Sequence, residues 1–307
     1  MKLASFKINK NQNTTIGALL DDNLVDLHSS SKGSLPNRMT DFLEMSDEGM
    51  DRARSIISGQ LFGKEDIYQD AEVELLPPVP RPGKILHTSC NFGDHLQELT
   101  GWNAPEWQAH NWGEFHFEHP TGFLQAPSSI VATEQKVFCP PFTKQLDHEI
   151  ELGIIIGKHG KRIPEERAYD YVAGYTVFND ISARDIQARE HANNVVLLGK
   201  SFDTSCPLGP YLVTTDEIPD PNVLDMELRV NGKVHQKAKT GEMIYKTKQM
   251  VSWWSNISLE PGDLITSGSP PGVIAGWENP EYLKEGDVVE AEIEGIGILR
   301  NEIAIDK

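Results

Sequence analysis

Hydrophobic positions in this chain recur mostly with a period of two, in short runs broken by polar turns. Residues 3–8 and 15–20 read as strands joined by the polar turn 9–13, and Asp21-Asp22-Asn23 turns the chain again before 24–27. The period lengthens to that of a helix over 39–45 and 47–57, with Asp47 as candidate N-cap and Gly59 just past the end. Residues 72–76 return to a strand pattern. The segment Pro77-Pro78-Val79-Pro80-Arg81-Pro82-Gly83 cannot continue a helix or a central strand, because proline lacks the N–H that either requires. It divides the chain into a small N-terminal α/β domain (1–76), a linker (77–83) and a larger domain (84–307). In the larger part, strand-like runs fall at 85–88, 152–156, 174–178, 211–214, 226–230, 264–266, 288–293 and 298–302. Helical patterns are confined to 94–99, 164–168, 183–191 and 246–256. The fold class expected is α+β, mainly β, with no internal repeat.

Bulk properties narrow the function classes. A chain of 307 residues with 38% hydrophobic content can bury a substantial core. Its formal charge of -18 disfavours nucleic acid and anionic membrane surfaces as partners. It leaves room for an anionic substrate, since a metal and a few basic side chains can reverse the field inside a cleft. No apolar run approaches the ~18 residues of a membrane span, and the first residues lack the apolar core of a signal peptide. Cys90, Cys139 and Cys206 show neither a CxxC pair nor a disulfide-framework spacing, so reduced thiols and a cytoplasmic location are expected.

The chemistry concentrates in Asp147-His148-Glu149-Ile150-Glu151-Leu152 and, further on, Asn179-Asp180. Side chains two apart on a strand share a face, which puts Glu149 and Glu151 together in an apolar run. Burying two carboxylates requires compensation, and a divalent cation is the simplest form of it. Oxygen ligands suit Mg²⁺, Mn²⁺ or Ca²⁺ better than zinc. Asp180 is the natural third ligand. Upstream, His95 and Glu98 lie three apart on a helical pattern, so the carboxylate can orient the imidazole. Gly199-Lys200-Ser201 lacks the earlier glycine of a phosphate loop, where Asn194 stands.

These segments, with Asp170-Tyr171-Val172-Ala173-Gly174-Tyr175-Thr176-Val177-Phe178-Asn179-Asp180, Ser182-Ala183-Arg184-Asp185, Lys200-Ser201-Phe202-Asp203-Thr204 and Thr266-Ser267-Gly268-Ser269-Pro270-Pro271-Gly272, resemble the core of the fumarylacetoacetate hydrolase family. The resemblance runs from Lys84 to the C-terminus. It implies a mixed β-roll, a homodimer, and Glu149, Glu151 and Asp180 as ligands of Mg²⁺ or Mn²⁺, with Ca²⁺ as a stand-in in crystals. It further implies His95 with Glu98 as a water-activating base, Lys200 as an enolate-stabilising cation, and Arg184, Gln187 and Ser269 as substrate-binding groups. Phe92 replaces the family's usual tyrosine, and Gln125 stands where many members have lysine.

The segment 101–122, rich in aromatic residues and histidine, reads as an insertion and a candidate lid. The function expected is a metal-dependent enzyme acting on small anionic 2-oxo or 1,3-dioxo acids through a metal-bound enolate, with acylpyruvate-type C–C hydrolysis in first place. An oxaloacetate-type decarboxylase and a 2-hydroxyhepta-2,4-diene-1,7-dioate-type isomerase or tautomerase are the alternatives within the family. A scaffold that retains the fold without catalysis is the alternative outside enzymes.

Overall fold

The computed structural model describes residues 1–100, 102 and 117–306. Its framework is a long mixed sheet whose central strand, Ile150–Ile156, is buried throughout its length. That strand pairs antiparallel with Val172–Asn179 on one side and with Leu264–Thr266 on the other. Leu264–Thr266 then pairs in parallel with Ile85–His87, which pairs with Leu124–Gln125. In the other direction Val172–Asn179 pairs with Cys206–Thr214, and that strand with Lys2–Ile8. Thr14–Leu20, Asn23–Asp26 and Ile67–Tyr68 complete the order. A strand buried on both faces must be apolar at successive positions. Ile150, Leu152, Ile154, Ile155 and Ile156 meet that demand, and Glu151 is the exception.

A second sheet runs Lys233–Lys239, Asp225–Val230, Val288–Ile293, Gly297–Ile305, Lys136–Cys139. The short pair Leu146–Asp147 and Ser182–Ala183 lies beside the site. The mainly β α+β expectation is met. The N-terminal strands join the long sheet through Lys2–Val213 and Leu3–Leu212. Leu35, Met39, Phe42, Leu43 and Ile56 share one apolar cluster with Ile155, Phe178, Leu208 and Leu264. Residues before and after the proline-rich segment thus bury one another's apolar surface.

Several local expectations change. The helix expected at 47–57 is Ser46–Ser58, and it opens at Met45 without a side-chain cap. Asp47 lies in its first turn, where a carboxylate complements the helix dipole, and pairs with Lys158 at 2.7 Å. The helical pattern at 164–168 forms a 3₁₀ stretch, Glu165–Tyr171. Lys233–Lys239 was not anticipated: it is a polar sheet-edge strand in which only Gln236 and Ala238 are buried. The helices Gly93–Thr100, Arg184–His191 and Thr247–Trp254 fall close to their predicted positions. Among the described residues no helix is long and apolar enough to cross a membrane.

Candidate active site

The sheet order brings four sequence-distant segments to one end of the long sheet. Ile150 pairs with Asn179, Gly153 with Thr266, and Thr266 with His87. Glu149 and Glu151 therefore stand beside Asp180, Thr266 and His87. The Asp180 N–H donates to the Glu149 carbonyl at 2.8 Å, and the Asn179 side chain accepts from the Glu149 N–H at 2.9 Å. All three carboxylates expected to hold a metal are buried in this corner.

Their partners differ. Lys200 Nζ lies 2.8 Å from Glu149 Oε2 and 2.6 Å from Asp180 Oδ2. Arg184 Nη2 lies 2.6 Å from the other oxygen of Glu149. Burial alone would raise the Glu149 carboxyl, but Lys200 and Arg184 outweigh it and hold it below its usual range. Burial would lower Lys200, yet Asp180 and Glu149 keep its ammonium above its ordinary value. Among the described residues no such cation lies at hydrogen-bond distance from Glu151. Glu151 accepts the Gly268 N–H at 2.9 Å. Burial, then Asp180, then Glu149 push its carboxyl well above the ordinary value.

Here the donor set fits a divalent cation. Glu151 is a buried carboxylate whose charge lacks compensation, and ligand atoms of Glu151, Asp180 and His87 lie within 4.8 Å of one another. Oxygen donors with one imidazole suit Mg²⁺ or Mn²⁺ coordination.

His87 was not singled out from the sequence. It ends the apolar strand Ile85–His87, stacks on Phe123 at 4.4 Å, and its Nδ1 lies 3.6 Å from Asp180 Oδ2 and 4.0 Å from Glu151 Oε2. Burial lowers its pKa against the pull of Asp180, which favours the neutral ring. A histidine closing an otherwise apolar run was the available signal. The long-range parallel pairing that makes it meaningful was not.

His95 and Glu98 sit on Gly93–Thr100, with Nδ1 2.8 Å from Glu98 Oε2. The other Glu98 oxygen accepts the Gly272 N–H at 3.0 Å, anchoring the dyad to the 268–272 turn. With its Nδ1–H donating to Glu98, the imidazole keeps a lone pair on Nε2. Gly268 occupies this turn at φ +78°, and a Cβ there would stand 2.5 Å from the Thr88 carbonyl.

Arg184 is fully buried and uses its guanidinium inside the protein. Nε meets Asp147 Oδ2 at 2.8 Å, Nη1 donates to Gln187 Oε1 at 2.9 Å, and the group lies 5.1 Å from the Trp102 ring centroid. Burial would raise Asp147, but Arg184, His148 and the N–H groups of Ala275 and Ile274 hold it below its usual range. Ser269 accepts from Gln236 Nε2 at 2.8 Å. His95, Trp102, Glu149, Lys200, Gln187 and Ser269 help to line a cavity of about 80 Å³. Cys90 lines it too, at φ +57°, with its thiol pushed up to about 12 by burial and by Glu149.

Of the expected lid, Trp102 and residues 117–122 are described. Trp102 is buried, edge-on to His95 at 6.3 Å, and His119 stacks on Trp253 at 3.9 Å. Trp107, His110, Trp112, Phe115 and His116 lie outside the described residues.

The arrangement of carboxylates, lysine and His–Glu dyad at a sheet end defines an enzyme site for small acids. The family model "Fumarylacetoacetate (FAA) hydrolase C-terminal" matches residues 84–304, and the chain belongs to that family. It is an enzyme of a family whose members are hydrolases, decarboxylases or isomerases. It is 38% identical over 306 residues to "Oxaloacetate tautomerase fahd2, mitochondrial" of Xenopus laevis, covering 99% of this chain and 90% of that one. Among solved structures, a putative HpcE protein from Mycobacterium smegmatis matches with a TM-score of 0.84 and 28% identity, all of both chains being covered. Maleylpyruvate hydrolase from Sphingobium sp. SYK-6, in complex with manganese(II) and pyruvate, matches with a TM-score of 0.76 and 26% identity over all of both chains.

Proposed function

We propose that this enzyme interconverts the keto and enol forms of a small 2-oxo dicarboxylate, with oxaloacetate as the reference substrate. The observation that carries the reading is the His95–Glu98 dyad, held at 2.8 Å beside the carboxylate corner in a small cavity. The cavity is about 80 Å³, which favours a small acid over a bulky ligand. The Xenopus laevis relative, similar over nearly the whole chain, bears the name of that activity.

Glu149, Glu151 and Asp180 would hold Mg²⁺ or Mn²⁺. When bound, the ion supplies Lewis acidity toward the substrate's 2-oxo oxygen. The rest falls to the protein. Glu98 fixes the imidazole so that His95 Nε2 accepts the C3 proton as the enol forms and returns it as the ketone forms. In the keto-to-enol direction the C3–H electron pair becomes the C2=C3 bond, the C2=O π pair moves onto the 2-oxygen, which takes a proton from solvent, and His95 releases the C3 proton to solvent. No C–C bond breaks and no water is consumed. Lys200 places an ammonium in the corner, favouring negative charge on the oxygen. Arg184 acts as a positioning residue, tying Glu149 to Asp147 and Gln187. Trp102 excludes water from the inner wall.

Acylpyruvate-type C–C hydrolysis is the second reading. It is favoured by the same dyad, which could deprotonate a water, and by the likeness to maleylpyruvate hydrolase. The test is turnover of enol-oxaloacetate beside an acylpyruvate series, with Mg²⁺ or Mn²⁺ and with chelator, after subtracting the metal-only rate. Chelator-sensitive decay of the enol without pyruvate release supports the tautomerase. Cleavage of acylpyruvates with no effect on the enol replaces it with the hydrolase.

A further inference from the structure

Gln125 and His87 form a unit beside the carboxylates. Gln125 Nε2 donates to the Lys200 carbonyl and reaches Asp180 Oδ1 at 3.4 Å and Ser205 Oγ at 3.5 Å. A carbonyl only accepts, so the amide must face it with its NH₂ group. Its oxygen is thereby turned to His87 Nε2, with which it is in hydrogen-bond contact. An oxygen acceptor there requires the proton on Nε2, which leaves the lone pair on Nδ1. Nδ1 faces Asp180 Oδ2 at 3.6 Å and Glu151 Oε2 at 4.0 Å, and lies 3.0 Å from Thr266 Oγ1, whose hydroxyl also hydrogen-bonds Glu151, so the hydroxyl hydrogen turned to Glu151 leaves the Nδ1 lone pair for a cation. Stacking on Phe123, 7° from parallel, fixes the ring plane.

Three electron-pair donors thus converge. With bonds of about 2.1 Å, neighbouring ligand atoms of an octahedron stand about 3.0 Å apart and opposite ones about 4.2 Å. The two separations from Nδ1, 3.6 and 4.0 Å, fall between these limits. A lysine at position 125, the residue the family resemblance leads one to expect, has no acceptor and would leave the Nε2 proton without this partner.

We propose that His87 Nδ1 is an additional ligand of the divalent-metal site and that Gln125 is the positioning residue that fixes its tautomer. The inference rests on the metal-dependent reading of the same site. Its consequence is a preference for Mn²⁺ over Mg²⁺, because imidazole nitrogen suits Mn²⁺ better than the harder ion. A hydrogen-bond partner of a ligating histidine commonly contributes 10–100-fold in metal affinity.

The test uses full-length protein labelled with ¹⁵N-histidine and loaded with Mn²⁺, examined by pulsed electron paramagnetic resonance. The expected result is nitrogen coupling to Mn²⁺ that changes with the label, survives in His95→Ala and vanishes in His87→Asn. Gln125→Leu should weaken Mn²⁺ binding roughly 10–100-fold and narrow its advantage over Mg²⁺ in equilibrium dialysis. Stoichiometric Mn²⁺ without histidine coupling would overturn this inference and leave the catalytic proposal standing. Coupling that disappears in His95→Ala would assign it to the wrong ring and also overturn it. This label comparison decides the matter even if His87→Asn does not fold. Absence of any Mn²⁺ binding would overturn both proposals.

Discussion

Replacing Glu151 by glutamine should stabilise the metal-free protein and remove most of its response to metal. The carboxylate is buried with Asp180 and Glu149 nearby, and it accepts hydrogen bonds from the Gly268 N–H and the Thr266 side chain. Glutamine keeps an oxygen for that N–H and removes the charge. Because the folded state holds the Glu151 carboxyl above its ordinary value of 4.5, the folded state binds its proton more tightly than the unfolded chain does. This contribution to stability is fully present below pH 4.5 and is lost as pH rises toward the folded-state value. One proton corresponds to a slope of about 1.4 kcal/mol per pH unit. Glu151→Gln should flatten that slope in metal-free protein. Metal at a hundred times its Kd adds about 2.7 kcal/mol to wild type, a rise in Tm on the order of 5 °C for a chain of this size. Calorimetry across pH, with chelator and with Mn²⁺, reads both effects. A variant that is no more stable without metal, and that keeps the full metal-dependent rise, would refute the reasoning.

Other substitutions separate catalytic from architectural roles. His95→Ala should lower kcat about 10²–10⁴-fold with folding intact by circular dichroism, and Glu98→Gln should retain part of the rate because its amide oxygen still accepts the Nδ1 proton. Asp147→Asn leaves Arg184 short of a buried counter-charge, and denaturant titration should show a loss of about 3–5 kcal/mol. Gly268→Ala forces a Cβ against the Thr88 carbonyl at positive φ; a loss above about 1 kcal/mol and weaker metal binding should accompany it, the latter because the donor to Glu151 moves.

Much of the architecture could be read locally. The period-two runs located most strands, because a half-buried strand must alternate and a fully buried one must be apolar. Glu149-x-Glu151 was conspicuous because charge inside such a run demands an explanation, and Asp180 followed from a second strand ending in a turn. Partnerships set by topology were hidden. His87 gains its meaning from parallel pairing with Leu264–Thr266, nearly 180 residues away. Gln125 matters because the edge strand Leu124–Gln125, paired with Ile85–His87, brings it against that ring. Arg184, expected as a substrate-binding group, lines the cavity and is also held by Asp147 and Gln187, a geometry that spacing alone does not reveal. Lys233–Lys239 escaped notice because an edge strand with one solvated side carries few apolar residues, and its buried Gln236 accepts from the Ile150 N–H at 3.0 Å.

The central claim is that the His95–Glu98 dyad exchanges a proton with C3 of a small 2-oxo dicarboxylate without breaking a C–C bond. Proton NMR of oxaloacetate in D₂O with Mn²⁺- or Mg²⁺-loaded enzyme, corrected for the metal-only rate, follows both events at once. The account predicts rapid loss of the C3 proton signal, abolished in His95→Ala, while pyruvate forms no faster than in the enzyme-free control. Enzyme-dependent pyruvate release matching or outpacing C3 exchange, or exchange that is unchanged in His95→Ala, would contradict it.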